Sequence, residues 1–505
     1  MDLKYTLIRV NFLLLFLGIS TIVQAQYSIT DFGAKPNDKK ADTKAIQYAI
    51  DECAKSGGGS IIFPAGTWLS GTVYLKSNIS IYLSNGAIWQ GVDDNDAYPF
   101  IEAKIMSRED EEPRRALVYG YNLENIKIHG EGTFYPGGDY DIFEATPEDK
   151  KYYERPFGIY LIKSKNITVS GIKMRNSAFW MQRYFYCDDV ILQNLNIYNH
   201  VNKNNDGIDI DGCHNVLVDN CIIDSSDDAL VLKSEGLRTC EDITISNCIL
   251  SSHATPLKCG TGSLGGFKRI TINNIVIRPS KSKQMIHPLK AWGGLSGIDL
   301  LCVDGGSMQD ILISNVVMDS VQTPIFIKLG NRHDTWPGKP ATTRGTIDNI
   351  KINNLTARQS GSISSAITGY PGNRVKNVQL TNVFLSVRGV DNLADTTAQV
   401  KENAGGYPFN RMFGSNLPAY GFYLRHAENV NFENVTFAIE KTEVRPAIYF
   451  EDVVNTELED VEAETPEGDQ PLLKIKSSDN MIIESSKSIL KEKIKILDNS
   501  KVEIK

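Results

Sequence analysis

The chain has 505 residues, 41% apolar and 23% charged, with 61 acidic against 53 basic side chains and a formal charge of −8. That composition is globular and excludes disordered and collagen-like proteins. The negative balance, with no Lys/Arg-rich block, also excludes a surface built for the phosphate backbone of nucleic acid.

Residues 1–25 read as a secretory leader, with Lys4 and Arg9 ahead of the apolar run Phe12 to Val23 and small residues at Val23-Gln24-Ala25. The run is shorter than the roughly 20 apolar residues that span a bilayer. No cysteine precedes Cys53, so no lipid anchor is expected. The expected location is therefore secreted or periplasmic, with no membrane association after cleavage. Residues 26–505 are read as a single domain. Its first element is a helix over Asp42 to Ser56, with Ala45, Ile46, Ala49, Ile50 and Cys53 on one face and Asp42 as its N-cap. The helix is expected to cap the N-terminal end of that domain.

From Asn78 onward a repeat dominates: Asn or Asp, an apolar residue, then alternating apolar and polar positions, as at Asn166-Ile167, Asp189-Val190, Asn215-Val216 and Asp242-Ile243. The anchors Ile167, Val190, Val216, Ile243 and Ile270 are 23, 26, 27 and 27 residues apart. The period-2 alternation after each anchor is a strand signal. A second Asn recurs at Asn194, Asn220, Asn247, Asn274, Asn315, Asn354 and Asn382, positioned to stack as a hydrogen-bonded ladder. Short strands in repeats of this length, with no leucine-rich pattern, predict an all-β fold, a single-stranded right-handed parallel β-helix. Coils lie about 4.8 Å apart in such a stack, and one coil alone has no core.

Longer gaps mark loops at Asp93 to Arg115, Gly137 to Arg155, Pro279 to Gly294, Asn331 to Arg344 and Arg388 to Tyr420, expected over one face. Glu457-Leu458-Glu459 and Met481-Ile482-Ile483 continue the coils, and Ser488 to Lys505 is a terminal strand or tail. Cys213 and Cys240, like Cys221 and Cys248, are 27 apart, which suits buried thiols in register as well as bridges. No CxxC pair marks a metal site, and no cofactor is expected.

The chemistry is concentrated in Asn204-Asn205-Asp206-Gly207-Ile208-Asp209-Ile210-Asp211, followed by Asp227-Asp228 and, one coil later, His253. Asp206 and Asp227 are 21 residues apart, just under one coil, which predicts carboxylates side by side on successive turns with the imidazole in the same column. Crowded carboxylates repel, by roughly 3 kcal/mol at about 5 Å, so one stays protonated while another remains charged. A proton donor beside a base is the equipment for glycosidic cleavage. Clustered Asp also suits Ca²⁺, and Asp is common in β-helix turns.

These residues resemble glycoside hydrolase family 28, the polygalacturonase family of pectin-degrading enzymes. Asp31-Phe32-Gly33-Ala34, with Gly57-Gly58-Gly59 and Phe63-Pro64-Ala65-Gly66, resembles the start of many pectin-lyase-like β-helices. Asn204-Asn205-Asp206-Gly207 is similar to the family's Asn-Thr-Asp element, Asp227-Asp228 to its paired Asp, and His253 to the His of its Gly-His-Gly element with both glycines replaced. The resemblance covers about residues 28 to 450. It implies an inverting hydrolase with Asp227 as general acid, Asp206 and Asp228 activating water, and His253 supporting Asp227. The best match to the family's Arg-Ile-Lys signature, which holds the substrate carboxylate, is Gly297-Ile298-Asp299-Leu300-Leu301, which puts Asp and Leu where Arg and Lys belong. Lys233, Lys258 and Arg332 are the candidate cations in its place, with Lys258 foremost and Asn204 beside them. The expected substrate is a pectic polysaccharide or oligosaccharide containing uronic acid, and long loops that close one end of the groove would make the enzyme exo-acting or specific for a side chain. A lyase or epimerase on the same scaffold, or a carbohydrate-binding β-helix protein, would use the same residues differently.

Overall fold

The computed structural model describes residues 25–144, 152–286, 291–332, 344–392, 395, 397, 399–414, 416–468 and 470–505. Apart from Ala25 the expected leader lies outside them, as does most of the segment Asn331 to Arg344.

The strands pair in parallel, each with its counterpart one coil on, so the chain winds as a parallel β-helix. The strand column that carries the candidate site runs through Phe157–Ile162, Gln182–Phe185, Ile208–Asp211, Leu230–Ser234, Leu257–Ser263 and Ser296–Cys302, and continues to Leu473–Lys476 and Ile494–Ile496. Within each coil the inward positions are apolar. Val190, Val216, Ile243, Ile270 and Ile311 stack in register, all essentially buried, in one core that runs the length of the molecule.

The repeated Asn and Asp residues are its corners. Asn194, Asn215, Asn220, Asp242, Asn247 and Asn315 all have φ between 52° and 59°. A side chain with a Cβ meets a steric cost in that left-handed region, and Asn and Asp tolerate it best because their short polar groups bond locally. The amides also bond coil to coil: Asn220 to Asn194 at 2.6 Å, Asn274 to Asn247 at 3.1 Å and Asn354 to Asn315 at 2.8 Å. Asn247 departs from the expected ladder by donating to Asp219, at 2.8 Å. A separate ladder joins Asn166 to Asn125 and Asn125 to Asn78.

The capping helix spans Thr43–Lys55 and buries Ile46, Ala49, Ile50 and Cys53 against the first coil. Asp42 precedes it but makes no side-chain cap; its carboxylate accepts the Lys35 N–H at 3.0 Å and so ties down the preceding loop. All eight cysteines are free and buried, with Cys221 and Cys248 at matched positions of neighbouring coils. The chain from Ser488 forms the short strands Ile494–Ile496 and Val502–Ile504, which pair back onto the stack. Among the described residues no helix is long and apolar enough to cross a membrane.

Candidate active site

The alternation Ile208-Asp209-Ile210-Asp211 sends both isoleucines into the core and both carboxylates to the outer face of the coil. Asp206 enters through Gly207, where a Cβ would lie 2.4 Å from the Ala229 carbonyl oxygen and 2.5 Å from Ile223. Only glycine permits that approach. Counting back from the matched set Ile208, Leu230 and Leu257, Asp206 is level with Asp228, and Asp227 stands one residue before it. Backbone bonds fix the arrangement: Gly207 N–H donates to the Asp228 carbonyl at 2.9 Å, and Asp227 N–H to that of Asn205 at 3.3 Å. The Asp227 carbonyl accepts from both Ser225 and Ser252 hydroxyls at 2.6 Å.

Asp227 and Asp228 stand at the waist of a two-lobed cleft, with Asn204, Lys258 and Tyr407 lining both lobes. One lobe, about 410 Å³, adds Asp206, Lys233, Glu109, Glu235 and Trp180. The other, about 440 Å³, adds Asp299, Leu295, Pro408 and Phe409. Loops supply the walls. The loop before Ala116 brings Arg108 and Glu109, Tyr152 donates to Glu109 at 2.7 Å, and the segment after Val387 brings Tyr407 to Asn410.

Lys258 Nζ donates to Asp228 at 2.8 Å. Lys233 Nζ lies 3.4 Å from Asp209 and 3.7 Å from Asp206, and 4.0 Å from the centre of the Trp180 ring. One ammonium thus serves two buried carboxyls. Burial, then Asp209 and Asp227, raise the Asp206 carboxyl well above the usual range. Asp209 is pushed up to about 8 by burial, against the pull of Lys233. Burial likewise raises Glu235 to about 7 and Asp299 to about 6. At neutral pH Asp209 therefore keeps its proton, Glu235 is divided between its two forms, and Asp299 is largely ionised.

Beneath it Arg183 is fully buried and bonds Asp211 at 2.6 Å and Asp110 at 3.0 Å; Asp110 also accepts from Tyr160 and Ser107, each at 2.6 Å. This cluster fastens the Glu109 loop to the sheet. Motif reading missed Arg183, and it named Asp209 and Asp211 within the stretch without giving either a role. The period-2 alternation at 208–211 marks both Asp as outward, and the coil step brings Arg183 level with Asp209.

Two candidates sit elsewhere than expected. His253 is level with Ser226, because Ser225 pairs with Ser252, so the imidazole is displaced from the carboxylate column. It is fully buried, with Nε2 2.9 Å from the Ser282 carbonyl and its ring 4.9 Å from that of His200, and it lines neither lobe. Arg332 lines neither lobe; its guanidinium grips Asp304 at 2.8 and 2.9 Å. Among the described residues no group of three or more His, Cys, Asp or Glu side chains is arranged to hold a metal ion.

The family profile described as glycosyl hydrolases family 28 matches residues 99–405, and one described as rhamnogalacturonase A/epimerase, pectate lyase-like, matches residues 26–83. A probable polygalacturonase of Vitis vinifera is 30% identical over 215 residues, 41% of this chain and 44% of that protein. An exo-poly-alpha-D-galacturonosidase of Dickeya chrysanthemi is 25% identical over 258 residues, 42% of each. The chain spans less than half the length of these curated relatives. Among solved structures, the family 28 exopolygalacturonase of Yersinia enterocolitica superposes with a TM-score of 0.64 at 19% identity, covering 84% of this chain and 78% of that one. An exopolygalacturonase from Thermotoga maritima gives 0.59 at 21%, covering 82% and 92%. The shared architecture is the right-handed parallel β-helix.

Proposed function

Because the chain belongs to glycosyl hydrolases family 28, we propose that it hydrolyses α-glycosidic bonds of a pectic polysaccharide, releasing a terminal uronic acid or related sugar. The observation that carries this reading is the Asp227-Asp228 pair at the waist of the cleft, where a bond joining sugars in the two lobes would lie.

Asp227 donates its proton to the leaving oxygen as the bond to the anomeric carbon breaks. Water attacks that carbon from the opposite face, and its proton passes to Asp228 or to Asp206, with inversion at the anomeric centre. Asp206 accepts only when ionised, and Lys233 at 3.7 Å favours that form. Asn204 lines both lobes beside Asp227 and is placed to bond the sugar hydroxyls. Lys258, shared by the two lobes, is the cation nearest the waist for a sugar carboxylate. His253 follows Ser252, whose hydroxyl donates to the Asp227 carbonyl at 2.6 Å, and supports Asp227 from behind. The leader-like residues 1–25 support a secreted or periplasmic location.

The test is a panel of pectic oligosaccharides with the anomer followed by NMR. An inverted anomer and monosaccharide product support the reading. An unsaturated, ultraviolet-absorbing product would make the protein a lyase, and random internal cuts would remove terminal attack.

A further inference from the structure

A second groove opens on the same sheet, several coils beyond the cleft. Following matched positions from Asp299 through Phe326, Ala366, Tyr423 and Tyr449 reaches Lys474 five coils on, and Lys495 one coil further. At about 4.8 Å per coil, Lys474 stands roughly 24 Å along the axis from Asp299. The groove encloses about 570 Å³ and shares no lining residue with either lobe of the cleft. Between the two, Leu417 and Ala419 pack onto Phe326 and Tyr423, holding the segment after Val387 against the sheet. That segment presents Tyr407 to Asn410 to the cleft and Thr397, Gln399 and Val400 to the groove.

The charge of the groove is opposite to that of the cleft. Arg425, Lys474, Lys476 and Lys495 line it against Glu451 and Asp498, in a protein whose formal charge is −8. The cleft lobe that holds Asp206 has the reverse balance, with Glu109, Glu111, Asp206, Asp227, Asp228 and Glu235 against three cations. Glu451 is already taken by Lys476 at 2.8 Å and by the Tyr423 hydroxyl at 2.6 Å. Lys474 Nζ lies over the mostly buried Tyr449 ring, 5.9 Å from its centre, so an ammonium and an aromatic ring share one wall of the groove. Sugar acids present that combination of an apolar ring face and a carboxylate.

We propose that this groove is a second, non-catalytic binding site for a carboxylated oligosaccharide, held by Lys474 and Lys495 with Tyr449 in its wall. Burial, together with Lys495, lowers the proton affinity of the Lys474 amine, so an anion seated between the two lysines offsets a repulsion already present. The choice of a sugar acid over other anions rests on the glycosidase reading, whereas the site itself rests only on its own residues.

The test is affinity electrophoresis of the full chain, in the Asp227→Asn background, through gels containing polygalacturonate or a neutral galactan. Retardation is expected in polygalacturonate alone. The pair Lys474→Gln and Lys495→Gln should weaken it at least fivefold, and Lys495→Glu, an exposed position, about threefold without risk to the core. Turnover of a short oligosaccharide by Lys495→Glu in the otherwise unaltered enzyme should stay unchanged. Equal retardation of the variants, equal binding to galactan, or equal competition by dextran sulfate would each overturn the proposal. If no oligosaccharide is hydrolysed, the glycosidase reading fails while the retardation measurement still decides the groove.

Discussion

Lys258 and Asp299 occupy matched positions on consecutive coils, yet the ammonium bonds Asp228 at 2.8 Å and leaves Asp299 to accept from the Thr255 hydroxyl, also at 2.8 Å. The cation nearest the scissile position is thus committed to a carboxylate, and an acid lines the lobe where the family signature has cations. Removing that negative charge should favour acidic substrates. Asp299→Asn is expected to lower KM for a uronic oligosaccharide about fivefold at pH 7, which corresponds to roughly 1 kcal/mol of repulsion. KM for a neutral analogue should not move, and steady-state kinetics on both substrates checks it.

The acids of the cleft also tie substrate binding to pH. Asp209, Glu235 and Asp299 take up protons near 8, 7 and 6, while a sugar carboxylate stays ionised throughout that range. KM for uronic substrates should therefore fall as pH drops from 8 to 6, and that for neutral substrates should stay flat. Parallel profiles for the two substrate classes would remove the repulsion account.

Asp227→Asn keeps the side-chain shape but cannot donate the proton. The rate constant kcat should drop by about 10²- to 10⁴-fold with little change in KM. The Tm should hold within a few degrees, since the Asp227 backbone is fixed by Ser225, Ser252 and Asn205.

Asp209 also makes stability depend on pH. Its carboxyl binds a proton in the fold up to about 8 and in the unfolded chain only near the ordinary carboxylate value. The native state therefore holds the extra proton between those limits. The contribution is complete below about pH 4 and is lost as pH rises through 8. Thermal unfolding should show Tm falling between pH 5 and pH 8. Asp209→Asn should shrink that fall by several degrees.

Arg183→Met leaves Asp110 and Asp211 buried without their cation. A loss of about 3 kcal/mol in denaturant unfolding is expected, together with a raised KM as the Glu109 loop loosens. An unchanged unfolding midpoint would mean that the two carboxyls are held by their other partners alone.

The coil repeat was legible because each corner needs a left-handed residue, and Asn or Asp at that position is visible in sequence. Some corners are filled differently: Lys163, Tyr186, His426 and Ser485 also adopt the left-handed region, and Arg269 takes its corner at φ 53° and bonds Asp242 with two nitrogens, at 2.5 and 2.7 Å. Asp206, Asp227, Asp228, Lys233 and Lys258 were legible for the same reason, since coil spacing brings them together. His253 was not. The spacing of 26 from Asp227 suggests one coil, but the local step between matched residues is 27, from Leu230 to Leu257, and the imidazole falls short of the column. Arg332 was not legible either, because its partner Asp304 lies outside any repeat position. Asp110 is 73 residues from Arg183 and arrives on an irregular loop that no period describes.

The groove and the cleft stand on one rigid stack, so the span between them is set by whole coils and does not stretch. A glycan shorter than that span engages one site at a time, whereas a longer one, passing over the intervening segment, binds the second as an intramolecular event at high effective concentration. Apparent affinity should consequently rise as a step with degree of polymerisation. With both sites occupied in this way, the coil count would act as a molecular ruler that sorts glycans by length before any bond is broken.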